Sequence, residues 1–298
     1  MNGLAPWLGV ARAPFLVLPV TLVASGAAAA AYEGSFGWTP TLLALAGLVL
    51  LHVAVNALNE ASDMTTGIDL QTNRTPFSGG SGTLPAGLLT VRATRVFAYA
   101  CAAIGGLIGG WFALRLGPGF ALLMAAGAAA VLFYSDVFAR TGLGETFAGL
   151  GLGALPVWGA AWVQGPPPGE AALWAGVPAF CMPFNLLLLN EFPDEEADRA
   201  GGRKNLVLML GRRGASVVYA AAAILTPLAI VAAVASKALP VQALFATIPS
   251  LLLGRPIAWA LGGARDPVPV SALGANVVWN LATNSALAAA LAAAILFR

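Results

Sequence analysis

Thirteen carboxylates are spread unevenly over the 298 residues of the chain. The stretch Asn59 to Asp69 holds Glu60, Asp63 and Asp69, and the stretch Asn190 to Asp198 holds Glu191, Asp194, Glu195, Glu196 and Asp198, so eight of the thirteen fall in two short segments of a chain that is only 9% charged. Carboxylates crowded together repel one another and tend to hold protons unless a cation neutralises them. Oxygen donors from Asp and Asn suit Mg²⁺, which takes one or two carboxylates and completes its octahedron with water and substrate phosphate oxygens. Zinc would need a Cys/His set, and the chain has one His and two Cys.

In the first segment His52, Asn56, Asn59 and Asp63 recur at intervals of four, three and four, so they share one face of a helix. A charged residue near the middle of a membrane helix costs about 2.5–3.5 kcal/mol, and such a stripe is expected to face a water-filled cavity or a partner. His52 and Asn56 can simply hydrogen-bond neighbouring helices, a reading preferred for His52 alone; Asn59 and Asp63 read as functional. Beyond Asp69, residues 73 to 82 set Arg74 beside a run of Gly and Ser. Such a loop suits closure over an anionic substrate, with Arg74 on phosphate oxygens, and equally suits a plain flexible connection. In the second segment Asn190, Asp194 and Asp198 lie four apart, on a helix expected to break near Pro193. Glu191, Glu195 and Glu196 are expected to turn to solvent. Arg199, Arg203 and Lys204 follow, so groups for a cation and groups for phosphate are supplied together.

These segments must be positioned by membrane helices. The chain is 59% hydrophobic with a mean hydropathy of +0.82, well beyond a soluble domain. Apolar runs of about 20 residues, enough to cross a bilayer, are read at 14–31, 41–59, 96–116, 119–137, 145–164, 171–190, 215–234, 240–261 and 275–297, giving an all-α polytopic protein of nine transmembrane helices, one domain over residues 1–298. The first run is longer than a signal-peptide core and reads as an uncleaved helix. With nine crossings, twelve bases fall on one side (Arg12, Arg74, Arg92, Arg95, Arg140, Arg199, Arg203, Lys204, Arg212, Arg213, Arg255 and Arg265) and three on the other (Arg115, Lys237 and Arg298). Bases concentrate in cytoplasmic loops, so both acidic segments are expected to face the cytoplasm, where they can meet. The bases form no clustered face for a nucleic acid. Cys101 and Cys181 sit in apolar runs as small hydrophobes. In the last run Asn276, Asn280 and Asn284 lie four apart and are expected to hydrogen-bond between helices.

The combination resembles the UbiA superfamily of intramembrane prenyltransferases. Asn59, Asp63, Gly67 and Asp69 match its N-x-x-x-D-x-x-x-G-x-D form, residues 73–79 are similar to its Arg-containing loop, and Asp194 and Asp198 look like its second aspartate motif, followed by Arg203 and Lys204. Glu60 stands where Asp is more usual. The stretch from Gly142 and Glu145 through Leu155 to Gly159 and Gln164 is similar to the branch that prenylates dihydroxynaphthoate in menaquinone synthesis. The resemblance implies helices around a central cavity open to lipid and an allylic polyprenyl diphosphate donor. It also implies Mg²⁺ held by Asn59, Asp63, Asp69, Asp194 and Asp198, an aromatic acceptor, and a membrane of prokaryotic origin with the site facing the cytoplasm. Arg74, Arg203, Lys204, Asn190 and Asn56 are then substrate-binding, and Tyr134 and Asp136 orient the acceptor or quiet the allylic cation. The alternatives are a relative that sends the same donor to cyclisation or to a haem, chlorophyll or glycerol phosphate acceptor and, in another class, a cation-coupled transporter.

Overall fold

The computed structural model describes residues 3–72, 74–264 and 267–297, and no strand occurs among them. A short helix α1 (Ala5–Val10) and a 3₁₀ turn (Ala13–Leu16) lead into α2 (Val17–Tyr32). Then come α3 (Trp38–Thr66), the single turn α4 (Ile68–Gln71), α5 (Val91–Leu116) and α6 (Pro118–Leu132). A π-helical segment (Tyr134–Phe138) and α7 (Ala139–Thr141) bend away from α6 by 65°. The next stretch is helical in three successive pieces, α8 (Gly144–Gly149), a π segment (Leu150–Ala154) and α9 (Leu155–Trp162). The second half holds α10 (Glu170–Glu191), α11 (Glu195–Ala200), α12 (Leu206–Ala235), a 3₁₀ run (Val241–Leu253) continued by α13 (Gly254–Leu261), and α14 (Val270–Leu296).

Among the described residues seven helices are long and apolar enough to span a membrane, or eight when the bent α6 unit counts as one span. The chain is an integral membrane protein. The further crossing expected over 145–164 corresponds to the α8–α9 stretch, which lies outside that count. Its π segment packs closely against α10: a Cβ on Gly153 would fall 1.9 Å from the Ala179 carbonyl oxygen, so the backbones approach only because glycine is there.

A long helix and a helix break place the acidic segments. Helix α3 has 29 residues, about 43 Å at 1.5 Å per residue against a hydrocarbon core of about 30 Å. The helix is thus long enough to cross the apolar slab and still carry Asn59 and Asp63 in its last turns. Gly67 (φ 80°) ends α3 in a left-handed turn that folds Asp69 back. The expected break near Pro193 is present as the gap between α10 and α11, with Asp194 as the residue preceding α11. The apolar core is built by α2, α9, α10 and α14, through Leu22, Val157, Ala175, Leu287 and Leu291. Cys101 and Cys181 are buried thiols without a bridge.

Candidate active site

The two acidic segments meet. Arg203, after α11, donates to Asp63 of α3 and, at 3.3 Å, to Asp198 Oδ1. Asn205, which caps α12, donates to Asp198 Oδ2 at 2.9 Å. Asp63, Asp69 and Asp198 are all buried, and their crowding shows in their acidity. Burial, with the charges of Asp63 and Glu60, pushes the Asp69 carboxyl up to about 7. Burial and the Asp198 charge push Asp194 to about 7. Burial pushes Asp198 to about 6, Arg203 offsetting part of the rise. Burial opposes the charge on Arg203, yet Asp63 and Asp198 outweigh it and hold the guanidinium more firmly protonated than usual.

The loop after α4 closes one side. Glu60, fully buried, accepts from the Ser81 amide at 2.7 Å, from Ser81 Oγ at 2.8 Å and from Arg12 Nε at 3.0 Å. Sequence reading marked Glu60 only as a departure from a motif; it is the anchor of this loop. Gly80, at φ 72°, lies so close to Asp69 that a Cβ would fall 2.7 Å from Oδ1. Asn190 Nδ2 donates to the Phe77 carbonyl at 3.3 Å, so the loop is also tied to the second segment.

Beneath lies a cavity of about 350 Å³ whose lining includes Arg12, His52, Asn56, Asn59, Tyr134 and Asn190. Asn280 lines it as well, and apolar groups such as Phe15, Leu18, Phe147 and Leu187 make up most of the remaining wall. A second, apolar cavity of about 100 Å³, lined by Gly47, Gly105, Phe112 and Gly127 among others, shares His52, Val55, Val131, Gly151 and Leu152 with the first. A polar mouth therefore leads into an apolar interior.

A family model described as the UbiA prenyltransferase family matches residues 17–281. The chain belongs to that family. This UbiA chain is similar to a 1,4-dihydroxy-2-naphthoate octaprenyltransferase of Mycobacterium tuberculosis, 28% identical over 97% of this chain and 98% of the relative. In fold it is similar to a UbiA homologue of Aeropyrum pernix K1 (TM-score 0.70, 21% identity, 94% of this chain and 98% of that one). It is also similar to an Archaeoglobus fulgidus UbiA homologue bound to GPP and Mg²⁺ (TM-score 0.63, 16% identity, 95% and 99%).

Within this UbiA site the candidate residues divide. Asn59, Asn190 and Tyr134 line the cavity, and Asp63, Asp194, Asp198 and Arg203 cluster through the contacts and charges described. Asn56 lines the cavity while its Nδ2 holds the Ala11 carbonyl at 3.0 Å, fastening α3 to the N-terminal segment. Arg74 is exposed and donates to the Asp69 carbonyl at 3.2 Å. Lys204 is exposed, and Asp136, also exposed, accepts from Ser62 Oγ at 2.8 Å outside the cavity wall. Glu191, expected in solvent, is buried beside Glu145, whose Oε1 accepts from the Leu206 amide at 2.6 Å. This packing joins α8, α10 and α12, and nothing in the spacing of the sequence announces it.

Among the described residues no three His, Cys, Asp or Glu side chains already converge on one point. The donor set nonetheless fits Mg²⁺: Asp69 Oδ2, Asn190 Oδ1 and Asp194 Oδ1 are buried oxygens without a hydrogen-bond partner, and an ion that keeps waters and takes phosphate oxygens needs no preformed three-acid cage. Buried acceptors left unpaired cost free energy, which a cation would recover.

Proposed function

We propose that the protein transfers an isoprenyl group from an allylic polyprenyl diphosphate to an aromatic quinone precursor of the 1,4-dihydroxy-2-naphthoate type. The observation that carries this reading is the cavity itself: Asn59 and Asn190, one from each acidic segment, line it with Arg12, and it opens into an apolar interior, while Arg203 ties the two segments together through Asp63 and Asp198. The naphthoate acceptor is supported by the M. tuberculosis relative, which the chain matches over nearly its whole length.

Asn59, Asp63, Asp69, Asp194 and Asp198 would hold Mg²⁺, with Asn190 beside them. Bound there, the ion neutralises the negative charge that grows on the leaving diphosphate as the allylic C–O bond ionises. Arg203 supplies a fixed cation to the same oxygens, and Arg12 and Arg74 stand at the rim. The apolar walls exclude water from the allylic cation, so that an electron-rich ring carbon captures it and then gives up its proton. Tyr134, on the cavity wall beside the mouth, faces the region where that cation forms. The prenyl tail follows the apolar wall toward the smaller cavity. The bias of Lys and Arg toward the loops that carry the acidic segments supports a mouth facing the cytoplasm, in this reading of a prokaryotic membrane.

The test is to incubate purified protein with Mg²⁺, a radiolabelled polyprenyl diphosphate and either dihydroxynaphthoate or hydroxybenzoate. Label on the naphthoate is expected. Diphosphate release without label on either ring would overturn the aromatic-acceptor reading in favour of a cyclase.

A further inference from the structure

His52 is the chain's one histidine, and it lies eleven residues before Asp63 on α3, about 16 Å along the helix axis. Its side chain is 5% exposed and belongs to the walls of both cavities, at their junction. The ring Nδ1 lies 3.2 Å from the Leu48 carbonyl. A carbonyl only accepts, so Nδ1 carries the proton and Nε2 presents a lone pair. That Nε2 has no hydrogen-bond partner.

On α14, Asn280 lines the larger cavity and is 1% exposed. Its Oδ1 accepts from Asn284 Nδ2 at 3.0 Å, while its own Nδ2 has no partner. The neighbouring Asn276 is used differently, accepting from Tyr219 OH at 3.2 Å, the interhelical bond expected for this stripe. One wall of the cavity thus carries an unpaired acceptor and another an unpaired donor, both in a membrane interior where an unpaired polar group is costly.

A prenyl chain has neither donor nor acceptor and leaves both groups unsatisfied. A hydroxylated ring satisfies both, through an O–H to His52 Nε2 and an oxygen to Asn280 Nδ2. We propose that His52 and Asn280 are positioning residues for the acceptor, holding a phenolic hydroxyl and a second ring oxygen so that the reactive ring edge points back toward the diphosphate mouth. The assignment rests on the aromatic-acceptor reading above. It makes the same polar pair the source of selectivity for oxygenated rings, and it leaves the apolar cavity beyond His52 to the tail.

The experiment measures KM for 1,4-dihydroxy-2-naphthoate and for geranylgeranyl diphosphate separately, on full-length protein, for wild type, His52→Leu, His52→Gln and Asn280→Leu. Each leucine variant is expected to raise the naphthoate KM by about tenfold or more, the loss of one hydrogen bond with a buried partner left unpaired, and to leave the diphosphate KM within about twofold. His52→Gln, which retains an acceptor, restores most of the loss. Wild type should also prefer the dihydroxy ring over 1-hydroxy- or 4-hydroxy-2-naphthoate, a preference that His52→Leu erases. Unchanged naphthoate KM in both leucine variants, a parallel rise of both KM values that persists in His52→Gln, or wild-type indifference to the missing hydroxyl each overturns the assignment. A wild type that releases diphosphate but labels no ring sinks the underlying reading; one that labels the naphthoate while the variants behave as wild type sinks only this one.

Discussion

Arg203 reaches 140 residues back along the sequence to donate to Asp63, and the same guanidinium holds Asp198 at 3.3 Å. One half-buried base therefore bridges the two acidic segments. A metal ion held by Asp63 and Asp198 would share these carboxylates with Arg203, and a bound diphosphate would give the guanidinium other oxygens to pair with. Arg203→Gln should lower turnover by on the order of 10²–10³, the scale of losing one fixed group that stabilises developing charge. Mn²⁺ binding without donor, followed by electron paramagnetic resonance, should be retained or tightened. Loss of Mn²⁺ binding would make Arg203 a structural staple instead.

Asp69 and Asp194, raised to about 7, and Asp198, raised to about 6, give a pH dependence of defined sign. Without a cation these groups bind protons more tightly in the folded state than in the unfolded chain, whose carboxyls titrate near 3.8. The metal-free protein is therefore stabilised at low pH and loses that contribution as pH rises from about 4 to about 7. Cation binding runs the other way, because protons must leave first. Metal affinity should climb by on the order of tenfold per pH unit for each proton displaced as pH rises from 5 to about 6, climb less steeply to about 7 and level off above it, with measurable proton release in calorimetry. A flat affinity over that range would mean that these carboxyls are not the ligands.

The meeting of the acidic segments was legible because charge in an apolar chain is costly and its placement is informative: Arg203 joins Asp63 to Asp198, and Asn59 and Asn190 line one cavity. Arg203 and Lys204 look equivalent in sequence, yet one is enclosed by two aspartates and the other is exposed, a difference set by the turn after α11. The bend after α6 and the π segments were not legible, since such bulges follow from how helices pack around glycines such as Gly153. The role of Glu60, which the motif alone does not give, and the burial of Glu191, expected in solvent, escaped the sequence for one reason. Their partners, Ser81 and Arg12 for the first and Glu145 for the second, come from elements that only the folded chain brings near.

Glu60→Ala should release the loop that carries Arg74 and the glycines. It removes acceptors for the Ser81 amide, the Ser81 hydroxyl and Arg12 Nε, and a buried donor left unpaired costs on the order of 1–3 kcal/mol. Faster proteolytic cleavage within residues 74–82 is expected, together with a lower thermal inactivation temperature and reduced turnover. A variant whose loop resists protease as well as wild type would show that the glycines and the Asn190 contact to Phe77 suffice to hold it.

Gly127 offers the cleanest way to separate tail binding from chemistry. It lines the apolar cavity, and a Cβ built there meets nothing within 4 Å. Gly109, on the same wall, is unsuitable, because its Cβ would strike Met124 Cε at 2.0 Å. A larger side chain at 127 therefore fills the space for the tail without disturbing the packed helices, and it lies well away from the acidic mouth. Gly127→Phe should fold, keep its turnover with geranyl diphosphate within about twofold, and lose about tenfold or more in kcat/KM with long-chain donors, the scale of discrimination by apolar fit. The ratio of the two donors is the decisive reading, since a general loss of activity cancels in it. An unchanged ratio would mean that the tail leaves the polar cavity by another path, between helices and directly into lipid.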